Sequence, residues 1–382
     1  YQQGSQNVLA VLPTGGGKCL GRGTKVLTYD GCPVPVEDIE PGDELMGPDS
    51  RPRTVLSICR GREMLYRVTP TKGEPYVVNE SHILSLKSTP TRPGEPIRIV
   101  NIGVLDYLAQ TRTFRHTHKG WRTGVDFPKA RKALPVDPYF LGIWLGDGNA
   151  HNATITTGDP EIRAYIYEHA ASLGMVAADR AVKPGCAEIV TVGVRRAGRG
   201  GTPIMNALRS LGVIGHKHVP YAYRTASRDQ RLQLLAGLMD TDGSYSGKGF
   251  DFVSVIERLA DDVVFLARSL GFAAYKAPCV KTCVNNGVSG TYYRVSISGD
   301  VSLIPCRLPR KQAKPRLQKK DVLVTGITVE PIGIGDYFGF EIYGDHLFLL
   351  GDFTVTHNTF VFSRIASAIA AQGHAVAASA HR

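Results

Sequence analysis

VLAVLPTGGGKCLGRGTKVLTYDG (8–31) and VTHNTFVFSRIASAIAAQG (355–373), read together, decide the architecture. The first is a short apolar strand running into Gly15, Gly16, Gly17 and Lys18. Such a loop turns backbone N–H groups toward phosphates, and its lysine reaches the terminal ones. The chemistry then needs Ser or Thr, whose hydroxyl binds magnesium as a helix opens. Here Cys19 follows, and the next residues read as turn and strand. The missing hydroxyl stands far downstream at Thr359. Phe360, Phe362, Ile365, Ala366 and Ile369 follow it at near-helical spacing, and Gly373 sits where a helix ends. Joining Lys18 to Thr359 restores strand, loop and helix. Residues 19–358 therefore read as an insertion, and Gly15, Gly16, Gly17, Lys18 and Thr359 bind ATP phosphates only once the flanks are joined.

The chain has 382 residues, too many for one ordinary core, and its 43% hydrophobic content predicts folded structure. A net charge of +11 favours a polyanionic partner. Seven cysteines without paired spacing suit a reducing compartment. No apolar run is long enough to cross a bilayer, and YQQGSQNVLAV (1–11) lacks the pattern of a signal peptide. The expectation is a cytoplasmic, monomeric element with no membrane partner.

The residue types at the insertion's edges carry a chemistry. The Cys19 thiol can attack the carbonyl before it and convert the Lys18–Cys19 amide to a thioester. The Thr359 hydroxyl can attack that thioester. Asn358 can cyclise on its own carbonyl and cut the chain, helped by His357. An acyl shift then leaves an ordinary Lys18–Thr359 peptide, with no cofactor. These edges resemble inteins, and the joined flanks resemble the first ATPase motifs of superfamily 2 helicases. Within the insertion, CLGRGTKVLTYDGCPVPVEDIEPGDELMG (19–47) resembles an intein's opening segment. VVNESHILSL (77–86) resembles the second block, with Asn79 where Thr is commoner and His82 in the place of the catalytic histidine. The resemblance implies that His82 protonates the departing nitrogen of Cys19. YFGFEIYGDHLFLLGDFTVTHN (337–358) resembles the closing blocks, with Asp345 and His346 in assisting positions.

A second pattern lies inside. YFLGIWLGDG (139–148) and LLAGLMDTDG (234–243) are matching apolar helices ending in Asp-Gly, and AASLGMVAA (170–178) recurs as ARSLGFAAY (267–275). The near-constant offset marks a tandem duplication. Gly142 and Gly237 each cost a helix about 1 kcal/mol, which makes sense if the two helices touch backbone to backbone. Asp147 and Asp242, at helix C-termini, repel each other unless cations lie between them, so they are candidate magnesium or manganese ligands. For a single copy, an ordinary Asp-Gly cap is the simpler reading. Both segments resemble LAGLIDADG homing endonucleases, which implies double-stranded DNA as partner and target. KHVPYAY (217–223) resembles that family's lysine segment, making Lys217 the active-site lysine. Lys281 and Arg294 remain open as a second basic residue. The clusters RLPRKQAKPRLQKK (307–320) and GVRRAGRGG (193–201) suit a DNA face, though the former also reads as a solvated linker. Cys279, Cys283 and Cys306 make only a weak zinc pattern.

The predicted fold is α+β. An all-β splicing domain, shared by inteins with hedgehog autoprocessing domains, spans 19–130 plus 315–358. A LAGLIDADG domain of two α-β-β repeats spans 131–314. Residues 1–18 and 359–382 are host flanks, and 97–128 form a bridging segment with a short helix. The alternatives are an intein whose endonuclease only binds DNA, an ATP-driven helicase fragment, and a hedgehog-like domain that passes its thioester to an outside nucleophile. His357-Asn358-Thr359 argues against the last.

Overall fold

The computed structural model describes residues 19–90, 95–128, 133–180, 189–193, 202–282, 289–315, 318 and 320–358. Gly15, Gly16, Gly17, Lys18, Thr359, Cys283 and nearly all of the 193–201 cluster lie outside the described residues. The chain divides into two units: one runs to Arg122 and resumes at Val324, and the other is Thr123–Leu323.

The first unit is built on strands. Pro52–Pro70 pairs antiparallel with Ile327–Ile342 along nearly its whole length, from Pro70 opposite Ile327 to Val55 opposite Ile342. The ladder continues through Leu20–Gly21 and Tyr76–Asn79 and returns to Pro52–Pro70. In this closed circuit each of the four strands is paired on both sides over part of its length. A second sheet centres on Ile83–Ser88, which pairs with Ile99–Gly103, His118–Trp121 and Val355–His357. Side chains from both sheets and from the separate strand Lys25–Leu27 bury Val26, Leu45, Val68, Val78, Leu84, Leu86, Phe340 and Phe348. Each such side chain contributes about 1.5–3 kcal/mol on leaving water.

The segment read as a bridge at 97–128 is largely a working part of this sheet. Ile99–Gly103 forms five ladder positions with Ile83–Lys87, and the short helix Val104–Ala109 buries Val104 and Tyr107. A second short helix, Arg112–Thr117, leads into His118–Trp121. Apolar alternation in IRIVNIG is brief and flanked by polar residues, which hides it in the sequence.

The second unit holds the duplication. Helix Pro138–Asp147 starts with Pro138 in its first turn and the Asp137 carboxylate accepting from Phe140 N at 3.0 Å. Helix Arg228–Asp242 starts with a capping box between Ser227 and Gln230. The two helices cross through their glycines. A Cβ on Gly142 would lie 2.9 Å from Gly237 Cα, and one on Gly237 would lie 2.9 Å from Gly142 Cα. The backbone contact expected from the sequence is present, and it accounts for the helix propensity given up.

After the second helix come the hairpin Gly243–Tyr245/Gly249–Ser254, the helix Glu257–Ser269 and the hairpin Ala273–Thr282/Ser289–Ser298, in one sheet. Among the described residues the first repeat has the same order with one strand fewer. Thr154–Thr156 follows its helix and joins Ile189–Gly193 and Val176–Arg180 in a three-stranded sheet, with helix Pro160–Ser172 between. The second repeat is thus the α-β-β unit written twice, and among the described residues the first lacks one strand of its opening unit.

The stretch before residue 131 packs into this unit. Val125 N donates to Ser269 O, and the buried Arg231 donates to Val125 O and Asp126 while its guanidinium covers the Phe127 ring. At the other end, Gln318 donates to Gly299 O. These contacts carry the unit eight residues before 131 and nine beyond 314.

Candidate functional sites

In the strand unit, the N-terminal edge of the insertion is Cys19, with no exposed surface. The Asn79 side chain accepts from Cys19 N at 2.9 Å, and Asn79 N donates to Cys19 O at 3.1 Å. Asn79 is held in turn by the Glu63 carboxylate, which accepts from its Nδ2 at 2.6 Å. Burial raises the Glu63 carboxyl above its usual range, against the hydrogen bond from Asn79. The Cys59 thiol sits 3.4 Å from the Cys19 sulfur. That hydrogen bond, with burial, pushes the Cys19 thiol far up. The same bond holds Cys59 below its ordinary value, despite burial.

The C-terminal edge lies on the other sheet. His357 and Asn358 are both buried, and His357 pairs with Ile83 and Leu347. Asn358 N donates to His346 O at 2.8 Å. His346 stands at φ +62°, a left-handed turn conformation uncommon outside glycine, and its ring centroid is 5.8 Å from that of His357. Its Nδ1 is buried and without a hydrogen-bond partner among the described residues. Asp345 does not supply its carboxylate to these residues directly. Its oxygens accept from Arg53 at 2.9 and 3.1 Å and from Leu347 N. Partial burial alone would raise its carboxyl, but the Arg53 guanidinium holds it below the usual range. This pair braces the turn that carries His346.

One short segment touches both edges. Asn79 holds the Cys19 amide, and three residues on, His82 Nε2 hydrogen-bonds Thr356 Oγ1 at 2.7 Å, two residues before Asn358. The resemblance implied that His82 faces the Cys19 nitrogen. In the structure Asn79 accepts from that nitrogen, and His82 Nε2 reaches the terminal strand at Thr356. Cys59, Glu63, Arg53 and Thr356 carry no motif, so nothing in the sequence singles them out.

In the duplicated unit, Asp147 and Asp242 end the crossing helices. Both are open to solvent, yet the packed helix ends still crowd them. Crowding, then the Asp147 charge, pushes Asp242 up to about 6. Crowding likewise raises Asp147, relieved by Lys217 and Lys311. Lys217 Nζ donates to Gly146 O at 2.9 Å, at the end of the first helix. Lys311 Nζ donates to the Met239, Asp240 and Thr241 carbonyls at 2.9, 2.7 and 3.0 Å, at the end of the second. Each lysine satisfies carbonyls left open at a helix terminus and offsets the negative end of its dipole.

Lys311 follows Lys217 by 94 residues, against 95 between the two aspartates. Of the two basic residues left open earlier, Lys281 is near enough to lower Asp242. Lys311 acts on both aspartates, and its place in a run that looks solvated hides it in the sequence. Three cations of that run have internal partners: Arg307 covers the Tyr139 and Tyr165 rings, Arg310 pairs with Asp159, and Lys311 caps the helix. Among the described residues no group of three or more His, Cys, Asp or Glu is placed to hold a metal ion; of the zinc pattern, Cys283 lies outside them. No helix among them is long and apolar enough to cross a membrane.

Comparison with known proteins agrees with this division. Residues 19–94 match the model of the homing-endonuclease-associated Hint family, and residues 229–303 match that of the LAGLIDADG-like domain. A replicative DNA helicase DnaB of Mycobacterium intracellulare is 32% identical over 289 residues, covering 70% of this chain and 45% of that protein. The catalytic chain of the V-type proton ATPase of Candida tropicalis is 31% identical over 123 residues, covering 30% of this chain and 11% of that protein. The chain thus spans less than half the length of these curated relatives. Among solved structures, the homing endonuclease I-DmoI with DNA and Mn aligns at TM-score 0.30 and 16% identity, over 43% of this chain and 89% of that one. The gp41-1 intein aligns at TM-score 0.17 and 18% identity, over 23% and 90%. Both structural likenesses are too weak to carry weight. With a Hint match beginning at Cys19 and a LAGLIDADG-like match downstream in the second unit, the chain has the make-up of an intein with a homing endonuclease.

Proposed function

We propose that the chain excises residues 19–358 and ligates Lys18 to Thr359. The observation that carries this reading is the Asn79–His82 segment, hydrogen-bonded to the Cys19 amide at one end and to Thr356 at the other. Residues at opposite ends of the insertion are thereby tied to one four-residue segment. Cys19 Sγ attacks the Lys18 carbonyl carbon, the C–N bond breaks, and the amide nitrogen leaves as an amine. The Thr359 hydroxyl displaces Cys19 from the thioester. Asn358 Nδ2 attacks its own carbonyl and releases the branched flanks, and the ester then shifts to the Thr359 amine. His346 O fixes the Asn358 backbone for the cyclisation, and His357 polarises the carbonyl under attack. The test is the intact mass of the expressed chain. Ligated flanks plus a free 19–358 fragment support the reading; an uncut chain under all splicing conditions refutes it.

The inserted unit is proposed to cut double-stranded DNA at the joined coding sequence of an uninterrupted ATPase gene. Asp147 and Asp242 suit a magnesium or manganese ion, since two crowded carboxylates repel until a cation is shared. Bound there, the metal supplies Lewis-acid stabilisation of a cleaved phosphate. Lys217 and Lys311 hold the helix ends that present the carboxylates. Lys217 keeps donors beyond its single carbonyl for a phosphate oxygen, whereas the three donors of Lys311 are all committed to carbonyls. Incubating the excised protein with linear DNA carrying the joined site, with and without magnesium, tests this. Cutting of interrupted and joined genes alike, or no cut in either, counts against it.

A further inference from the structure

We infer that Cys59 is a catalytic residue of the first splicing step, its sulfur taking the proton of the Cys19 thiol as Cys19 attacks the carbonyl before it. The inference rests on the splicing reading above. Cys59 lies opposite Gly339 on one edge of Ile327–Ile342, while the strand beginning at Leu20 runs along the other edge, with Leu20 opposite Phe338. The two sulfurs meet across Gly339, 3.4 Å apart. A Cβ at position 339 would fall on the Cys19 sulfur and come within 2.9 Å of the Cys59 sulfur. The slot therefore exists because residue 339 has no side chain.

A buried thiol is a poor nucleophile, because removal from water disfavours its thiolate. Cys19 needs an acceptor in its own pocket. Cys59 comes from the strand Pro52–Pro70, Cys19 from the edge of Leu20–Gly21, and Glu63 and Tyr337 are titratable groups beside them. The Glu63 carboxylate already accepts from Asn79 and Ser81. Burial, with the charges of Cys19, Cys59 and Glu63, pushes the Tyr337 phenol up to about 12, which keeps it protonated. Cys59 is the more exposed thiol, the Cys19 hydrogen bond and the Gly339 N–H favour its thiolate, and its sulfur is in contact with the nucleophile.

The step balances without an outside reagent. As the new C–S bond forms, the Cys19 proton passes to the Cys59 thiolate and the carbonyl pair moves onto oxygen. Collapse breaks the C–N bond, and the Cys59 thiol returns the proton to the leaving amine. The thiolate is regenerated.

The experiment uses the full chain carrying Asn358→Ala, with dithiothreitol to trap the thioester, and follows N-terminal release from pH 6 to 10. The chain with Cys59 intact should release the fragment at a rate that rises with pH and levels off. Cys59→Ala and Cys59→Ser should each be at least about tenfold slower at pH 7.5, with the rise displaced upward by one pH unit or more. An unchanged melting temperature shows that the fold is kept, and the near-isosteric serine decides if alanine disturbs it. Equal rates and pH profiles with and without Cys59 overturn the role. If the Cys59-containing chain releases nothing at any pH, the splicing reading itself fails and takes this role with it.

Discussion

Asn79 shows how much rests on single side chains. It bonds the scissile amide through Oδ1 and is fixed by Glu63 through Nδ2. A buried amide left without its partner costs about 1–3 kcal/mol. Asn79→Ala should therefore slow thioester formation by about tenfold or more, while cleavage after Asn358 continues; comparing thiol-induced and Asn358 cleavage in one series checks this.

Asp242 gives a second prediction at the same scale. Its carboxyl is raised from the ordinary value to about 6, so the folded state prefers the protonated form. Without metal, the ionised carboxylate lowers stability above pH 6, and the loss fades as pH falls toward the unfolded value near 4. Asp242→Asn should raise the melting temperature at pH 7.5, lose that advantage near pH 4, and lose it again when magnesium is added to the parent. Calorimetry at the two pH values, with and without metal, measures it.

The residues singled out in the sequence were those whose chemistry admits few substitutes: Cys19, His357 and Asn358 at the edges, Asp147 and Asp242 at duplicated positions. Cys59, Glu63 and Arg53 act through register across distant strands, and one chain of letters carries no sign of register. Lys311 was legible in principle, because the offset that pairs the aspartates also pairs it with Lys217.

At the scale of elements, the crossing of the two motif helices is the feature most exposed to test. Alanine in place of Gly237 improves helix propensity by about 1 kcal/mol. Its methyl would lie 2.8 Å from Ile143 N and 2.9 Å from Gly142 Cα, and overpacking of that kind costs about 1–3 kcal/mol. Steric conflict should win, because the opposing atoms are backbone. Gly237→Ala should lower the urea midpoint of the inserted unit, followed by Trp144 fluorescence in a Trp121→Phe background. The same helices were legible because their apolar run and repeat are long. The strand Ile99–Gly103 was not, because half of its pattern comes from a neighbour ladder.

For the whole molecule, the placement of the insert matters most. The unit Thr123–Leu323 leaves the strand unit after His118–Trp121 and returns at Val324–Thr325, and Trp121 pairs directly with Val324. Chain ends facing each other on one ladder can be closed by a short turn. Replacing residues 123–323 by a two-residue Asn-Gly turn should leave a chain that still splices, within about tenfold of the parent rate, and no longer cuts DNA. Gel analysis of ligated flanks reads the outcome; complete loss of ligation in a chain that still melts cooperatively counts against it.

The ladder between Trp121 and Val324 also bears on inheritance. The hydrogen bonds given above for Cys19, Asn79, His82 and Asn358 lie within the strand unit, so on the proposed function substitutions among the motif helices go unseen by selection on the host enzyme. On the proposed function, the gene for the cutting half is free to drift toward silence while the half that repairs its host stays under constant pressure. Lineages carrying the same strand unit around worn or shortened inserts are the expected record of that difference.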